Sequence, residues 1–256
     1  MRIMKVVLCV KAVATKLVYS NQQREEKLTM NPYDLLALQK LAMLKKEMDL
    51  IITCLCMGSN EARPVLIHSL AMGADEAILL SDRKFAGADT YATTYTLHKA
   101  MQKLKYDFIV CGAQAVDGET GQVSYGLAER FGLPCVANVL EINRIDDSSM
   151  TVQAKGVNHI KVMNVKLPAV IAFRNFQMDS GKISLLALKK AQKKSMQVWS
   201  AEDIGADVNR CGQAGSKTQV LNSTSALDKK NTFFLEGTAD MGIQFLMDKI
   251  KLYSQS

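Results

Sequence analysis

Five short runs, MKVVLCV (residues 4–10), LIITCLC (50–56), EAILLS (76–81), DFIVCG (107–112) and PAVIAF (168–173), are apolar almost throughout. A strand with one solvated face alternates apolar and polar side chains, so a strand apolar on both sides has to be covered on both. Amphipathic segments of helical period lie between these runs. Repeated strand–helix units of this kind fold as a doubly wound α/β sheet, mostly parallel, with right-handed crossovers and helices on both faces.

The helices announce themselves by their caps. In MNPYDLLALQKLAMLKKEM (30–48), Asn31 is an N-cap, Pro32 suits the first helical position and Asp34 favours the positive helix end, with Leu35, Leu38 and Ala42 as the expected inward face. A second helix follows Asn60 as cap, with Pro64 in its first turn. A third follows Asp89, and Leu97, Ala100, Met101 and Leu104 repeat at helical spacing. Beyond Arg174 the pattern fades into a stretch rich in Gly, Ser, Asn, Gln and Lys, too long for an internal loop, so an extended C-terminal arm packed on another protein is expected. The tail regains a stripe at Ile243, Leu246, Met247 and Ile250.

Several function classes are excluded early. No run reaches the roughly 18 apolar residues of a membrane span, so none is expected. The start, MRIMKVVLCVKAV, has the charge and hydrophobicity of a signal peptide but no small-residue cleavage site, and reads as the first buried strand. Cys9, Cys54, Cys56, Cys111, Cys135 and Cys211 have no CxxC spacing, and four sit in or beside apolar runs, which favours reduced thiols and a cytoplasmic location. Cys54 and Cys56 share one strand face and would suit a metal on geometry alone, but His68, His98 and His159 form no ligand pattern with them. The net charge of +7 owes much to Lys182, Lys189, Lys190, Lys193 and Lys194. With no aromatic RNA-binding motif or zinc-finger spacing beside them, they read as a solvated or partner-facing surface, and no nucleic-acid partner is expected.

The chemistry concentrates at the strand ends, above all in CGAQAVDGETGQVSYGLAERFGLP (111–134). There is no Walker A loop, and no GxGxxG after the first strand. Gly118 and Gly121 permit close backbone approach, and Thr120 and Gln122 add polar groups near a helix start, which is equipment for a pyrophosphate. Asp117 and Glu119 sit poorly beside an anion; they could cap the helix or accept hydrogen bonds from ribose hydroxyls or amides. Nucleotide cradle, structural capped turn and metal site all stay open on spacing, the last with only two carboxylates in reach. No GxSxG, HExxH or adjacent Cys–His pair supplies a catalytic apparatus. A nucleotide pocket without an acid, base or nucleophile suits a carrier of a redox cofactor.

In order and spacing, CVKAV, MNPYDLLAL, MGADEAILLSD, AGADTYATT, CGAQAVDGETGQVSYGLAERFGLP and LLALKKAQKK resemble the beta subunit of electron transfer flavoprotein, from Cys9 to about Lys194. The resemblance implies a Rossmann-like nucleotide-binding α/β domain over 1–185, and a recognition loop, C-terminal arm and final helix over 186–256 that pack on an alpha subunit carrying FAD. In the family's ordinary form the beta subunit holds AMP; in the electron-bifurcating form it holds a second FAD, which takes electrons from NADH and sends them to ferredoxin or flavodoxin and to the alpha-subunit FAD. DGETGQVS is closer to the DGDTAQVG of bifurcating members than to the DDDxNQTG of ordinary ones, and AGADTYATT is similar to their GGADTLATS, so FAD is expected over AMP. The resemblance places Cys9, Asn31, Met57, Thr90, Thr93, Gln114, Asp117, Gly118, Glu119, Thr120, Gly121, Gln122 and Val123 around the cofactor. Ala113 stands where the family usually has Arg or Lys, Gly121 where it has Ala, and Ser124–Tyr125 where it has Gly-Pro. Leu185, with Lys189, Lys190 and Lys193, takes the place of the loop that recognises a flavin-dependent dehydrogenase. The competing expectations are an ordinary AMP-binding shuttle for an acyl-CoA dehydrogenase and, from another class, a stand-alone ATP-binding protein of the universal-stress type.

Overall fold

Side chains alternate between the faces of a strand, and β1 (Met4–Val10) buries both sets. Met4, Val6, Leu8 and Val10 join one apolar cluster with Leu38 and Leu41 of α1 (Pro32–Leu44) and Val65 and Leu66 of α2 (Arg63–Ala71). Val7 and Cys9 join the opposite cluster, with Tyr95, Leu97 and Met101 of α3 (Thr90–Met101) and Leu127 of α4 (Val123–Phe131). Each such aliphatic side chain removed from water contributes about 1.5–3 kcal/mol, so a continuous apolar strand is favourable only between two helical layers. This computed structural model describes residues 2–18, 24–174, 183–219 and 237–253.

The main sheet runs β11-β5-β4-β1-β6-β10-β7-β8-β9, with β4 (Leu50–Met57), β5 (Glu76–Leu80), β6 (Phe108–Gly112), β7 (Cys135–Ile145), β8 (Ser149–Lys155), β9 (Ile160–Lys166), β10 (Ala169–Phe173) and β11 (Gln197–Trp199). From β11 through β7 all neighbours are parallel, and the final pairs β7–β8 and β8–β9 are antiparallel. The Rossmann-like, doubly wound α/β expectation holds. The antiparallel extension was unforeseen, although Met150, Val152 and Ala154 of β8 alternate with half-buried neighbours as a strand with one core face should.

Several local expectations change. Ala12 and Val13 belong to β2 (Ala12–Val18), which pairs with β3 (Arg24–Met30) as a separate two-stranded sheet. The buried face of α1 runs through Asp34, Ala37, Leu38 and Leu41, while Leu35 and Ala42 are only half-buried. Ser59 rather than Asn60 caps the short turn before α2, accepting from the Glu61 amide at 3.3 Å. Asp89 caps α3 as expected, its Oδ1 accepting from the Ala92 amide at 2.9 Å.

The chain divides into compact units Met1–Gln219 and Val220–Ser256. The stretch before Gln219, expected to find its packing elsewhere, packs on its own body. β11 extends the sheet beside β5, and Ala201, Ile204 and Cys211 are buried in the cluster under α3 and α4. In the second unit, α7 (Ala239–Tyr253) carries the foreseen stripe, with Ile243, Leu246, Met247 and Ile250 all exposed. Lys182 and the arm residues 220–236 lie outside the described residues. No helix is long and apolar enough to cross a membrane among those residues.

Candidate functional site

Ligands of open α/β sheets bind beyond the strands' carboxyl ends, where neighbouring strands send their helices to opposite faces. β1 and β6 form that pair, because the helix after β1 packs in one core cluster and the helix after β6 in the other. A cleft of about 710 Å³ opens there.

Asp34 of α1 and Asn31, the residue before that helix, tie the floor of the cleft together. Asp34 accepts from the Lys11 amide through Oδ2 at 2.8 Å and from the Gly112 amide through Oδ1 at 3.1 Å. Asn31 donates to the Gln114 carbonyl at 2.9 Å and accepts from the Val116 amide at 3.3 Å. The ends of β1 and β6 are thus held to one helix start, and both polar side chains are buried. Burial pushes the Asp34 carboxyl up to about 7, against the Lys11 amide, the Asn31 side chain and the Gly112 amide, which all favour the charged form. Gly112 is required by this closeness, since a Cβ there would meet Asp34 Oδ1 at 2.3 Å and Tyr33 Cβ at 2.7 Å.

The loop after β6 forms the upper wall. Glu119 (φ 50°) and Gly121 (φ 62°) are left-handed, and Gln122 (φ −96°, ψ −5°) is not. Such alternation turns successive N–H groups toward one concavity suited to an anion. A Cβ on Gly121 would also meet the Ala113 carbonyl at 3.1 Å, so this left-handed position suits glycine. The helix that follows, α4, has no side-chain cap on its N-terminus, which leaves its first amides open, whereas α3 is closed by Asp89.

Of the residues singled out from sequence, Cys9, Asn31, Met57, Thr90, Thr93 and Gln114 line the cleft, as do Gly118, Glu119, Thr120, Gly121 and Val123. Asp117 and Gln122 do not. Asp117 neither caps α4 nor faces the cleft; it pairs with Lys11 Nζ at 2.7 Å, both half exposed, a contact worth about 0–1 kcal/mol. The exposed Gln122 is the cap position of α4. Thr90 and Thr120 hydroxyls meet at 3.2 Å across the mouth, joining α3 to the loop.

Sequence reasoning missed Lys11, Lys217 and Thr218 in the lining. Lys217 and Thr218 arrive through Asp89, whose Oδ2 accepts from their amides at 2.7 and 3.0 Å and from the Thr218 hydroxyl at 3.2 Å. Burial works to raise the Asp89 carboxyl, but the amides of Ala92, Lys217 and Thr218 outweigh it and hold the group below its usual range. Of the cleft's two thiols, Cys9 and Cys111, the latter is pushed well above the ordinary thiol value by its Cys9 neighbour and by burial. Cys54 and Cys56 are pushed up to about 12 by burial, as expected of core thiols. No group of three or more His, Cys, Asp or Glu side chains that could hold a metal occurs among the described residues.

Leu185 and its lysines lie away from this cleft, on α5 (Leu185–Gln192), which Ser184 caps by accepting from the Ala187 amide at 3.1 Å. Leu185 is 78% exposed, and Lys189, Lys190 and Lys193 are exposed with it, while Ala191 faces the core.

Comparison with known proteins agrees with this geometry. Residues 20–204 match the family described as electron transfer flavoprotein domain. The electron transfer flavoprotein subunit beta of Clostridium acetobutylicum is 33% identical over 222 residues, covering 87% of this chain and 85% of the relative. The caffeyl-CoA reductase-Etf complex subunit CarD of Acetobacterium woodii is 36% identical over 213 residues, 82% of this chain and 80% of its own. Protein FixA of Bradyrhizobium diazoefficiens is 33% identical over 231 residues, 87% of this chain and 80% of its own. With this share of the chain matched, it belongs to the electron transfer flavoprotein family, among its beta subunits.

Proposed function

We propose that the cleft holds FAD and that this protein is the beta subunit of a bifurcating electron transfer flavoprotein. The observation that carries this reading is the strand-end cleft of about 710 Å³ with an uncapped helix start on its wall. Small-molecule sites span about 300–1,000 Å³, and this cleft lies within that range. The residues present fit a dinucleotide. The turn at Gly118–Gly121 and the first amides of α4 would hold its pyrophosphate, and Asn31 and Asp34 would keep the floor rigid. Lys217 brings positive charge to a wall where Ala113 has none. Met57 and Leu97 would exclude water from the ring system.

When bound, FAD supplies both two-electron exchange, with NADH as donor, and one-electron exchange toward ferredoxin or flavodoxin and the FAD of an alpha subunit. The protein's part is to fix the cofactor and its partners. The exposed face of α5, an apolar Leu185 rimmed by lysines, suits transient docking of a flavin-dependent dehydrogenase: the apolar anchor gives specificity and the charge gives fast encounter. The Acetobacterium relative is a subunit of a caffeyl-CoA reductase-Etf complex by name, which supports a partner of that class. The exposed apolar stripe of α7 suits packing on the alpha subunit.

The decisive experiment is the nucleotide content of the heterodimer, released by denaturation and separated by chromatography. Two FAD and no AMP per heterodimer is the expected result. One FAD with one AMP would overturn bifurcation and leave an ordinary shuttle for an acyl-CoA dehydrogenase.

A further inference from the structure

A second cavity, of about 400 Å³, lies between α3, α4 and the turn Val208–Arg210. Its walls are Tyr95, His98, Lys99 and Gln102 from α3, Arg130 from α4 and Arg210 from the turn. None of Lys99, Arg130 and Arg210 has a carboxylate partner among the described residues. Three cations that converge on one concavity without an acid repel one another, and a solvated lysine face has no need of such an arrangement.

The arginines are also held in place. Arg130 donates through Nε to the Thr94 hydroxyl at 3.1 Å and through Nη2 to the Tyr91 carbonyl at 2.9 Å. Its guanidinium lies over the Tyr91 ring at 4.7 Å. Arg210 stacks on the Tyr95 ring at 4.3 Å, and the Tyr95 hydroxyl accepts from the Asp207 amide at 2.9 Å, which anchors the turn. Stacking of this kind orients the planar donor fork. Beside them His98 packs on Phe131 at 4.3 Å, and its buried Nδ1 has no hydrogen-bond partner. Burial, with Arg130, Lys99 and Arg210 nearby, holds the imidazole below its usual range, an effect that a bound anion would offset.

We propose that this cavity is a binding site for a small phosphate-bearing anion, separate from the nucleotide cleft and adjoining it through Tyr91 and Arg130. The charge decides the class: one carboxylate would leave much of the positive field uncompensated, whereas a phosphate or pyrophosphate group matches it and accepts from forked donors. Free pyrophosphate and the phosphates of a nucleotide share that chemistry.

The test is calorimetric titration of the assembled heterodimer, its cleft filled by the nucleotide that co-purifies, with inorganic phosphate, pyrophosphate and ADP at low ionic strength. Pyrophosphate should bind, and binding should weaken as NaCl is raised. ADP binding more tightly than pyrophosphate would identify a nucleotide, and the reverse would identify the free anion. Arg210→Gln and Lys99→Gln should each weaken binding by about tenfold or more, as expected for loss of a contact to a charged group. Lys99→Gln removes no packing contact, so its thermal melting should be unchanged, which separates lost binding from a folding defect. No heat with any of the three ligands, or affinities unaltered in both variants, would overturn the site. The co-purifying nucleotide, whether FAD or AMP, does not enter this outcome.

Discussion

Asp34 shows what a residue can hide. In the sequence it is an ordinary acid in a helix's first turn, yet its partners Lys11 and Gly112 lie 23 and 78 residues away, and no local pattern connects them. Gly118 to Gly121 and Asp89 were legible because their roles are local: turn, cap and helix start. Lys217 was not, because the oxygen that recruits it belongs to a residue 128 positions earlier. Asp34 carries a pH signature whose sign is unusual for a carboxylate. Its folded value is near 7 and its ordinary one 3.8, so the folded state binds the extra proton between these values. This contribution therefore favours folding at low pH and is lost as pH rises through about 4 to 7. Asp34→Asn should remove that slope while leaving one amide unmatched, at a cost of about 1–3 kcal/mol. Urea midpoints at about pH 5 and about pH 8 check it: a wild-type pH dependence equal to the variant's would show that Asp34 does not titrate between them.

Elements were legible in proportion to their apolar continuity. The five apolar runs became β1, β4, β5, β6 and β10, since a strand covered on both faces has little choice of residues. The hairpin of β2 and β3 and the meander of β7, β8 and β9 escaped because half-exposed strands carry polar side chains, and β11 has only three residues. The helix α5 is read from its cap and its single inward face. That arrangement makes the docking role of Leu185 testable apart from the cleft. Leu185→Ala should slow electron transfer with the partner dehydrogenase several-fold while flavin content and melting temperature stay the same. Unchanged stopped-flow rates would remove α5 from the docking surface.

For the whole molecule, the alternation of strands and helices predicted the layers and the doubly wound order, but not where the chain stops being body. Composition after Arg174 suggested an arm, whereas the buried side chains of Ala201, Ile204 and Cys211 and the Asp89 contacts keep the chain on the sheet up to Gln219. A fragment of residues 1–219 should therefore melt in one cooperative transition; a broad, non-cooperative melt by circular dichroism would show that the later residues are needed for its stability. The strand order has a further effect on how the protein is made. β10 lies between β6 and β7 but follows both in the chain, beyond the whole meander. During synthesis, a ribosome that has released everything up to Lys166 has delivered both neighbours of a strand still in its exit tunnel. Their facing edges must stay unpaired until Ala169–Phe173 emerges, so the nascent chain is most open to chaperones, and to mispairing with other chains, just before its central sheet can close.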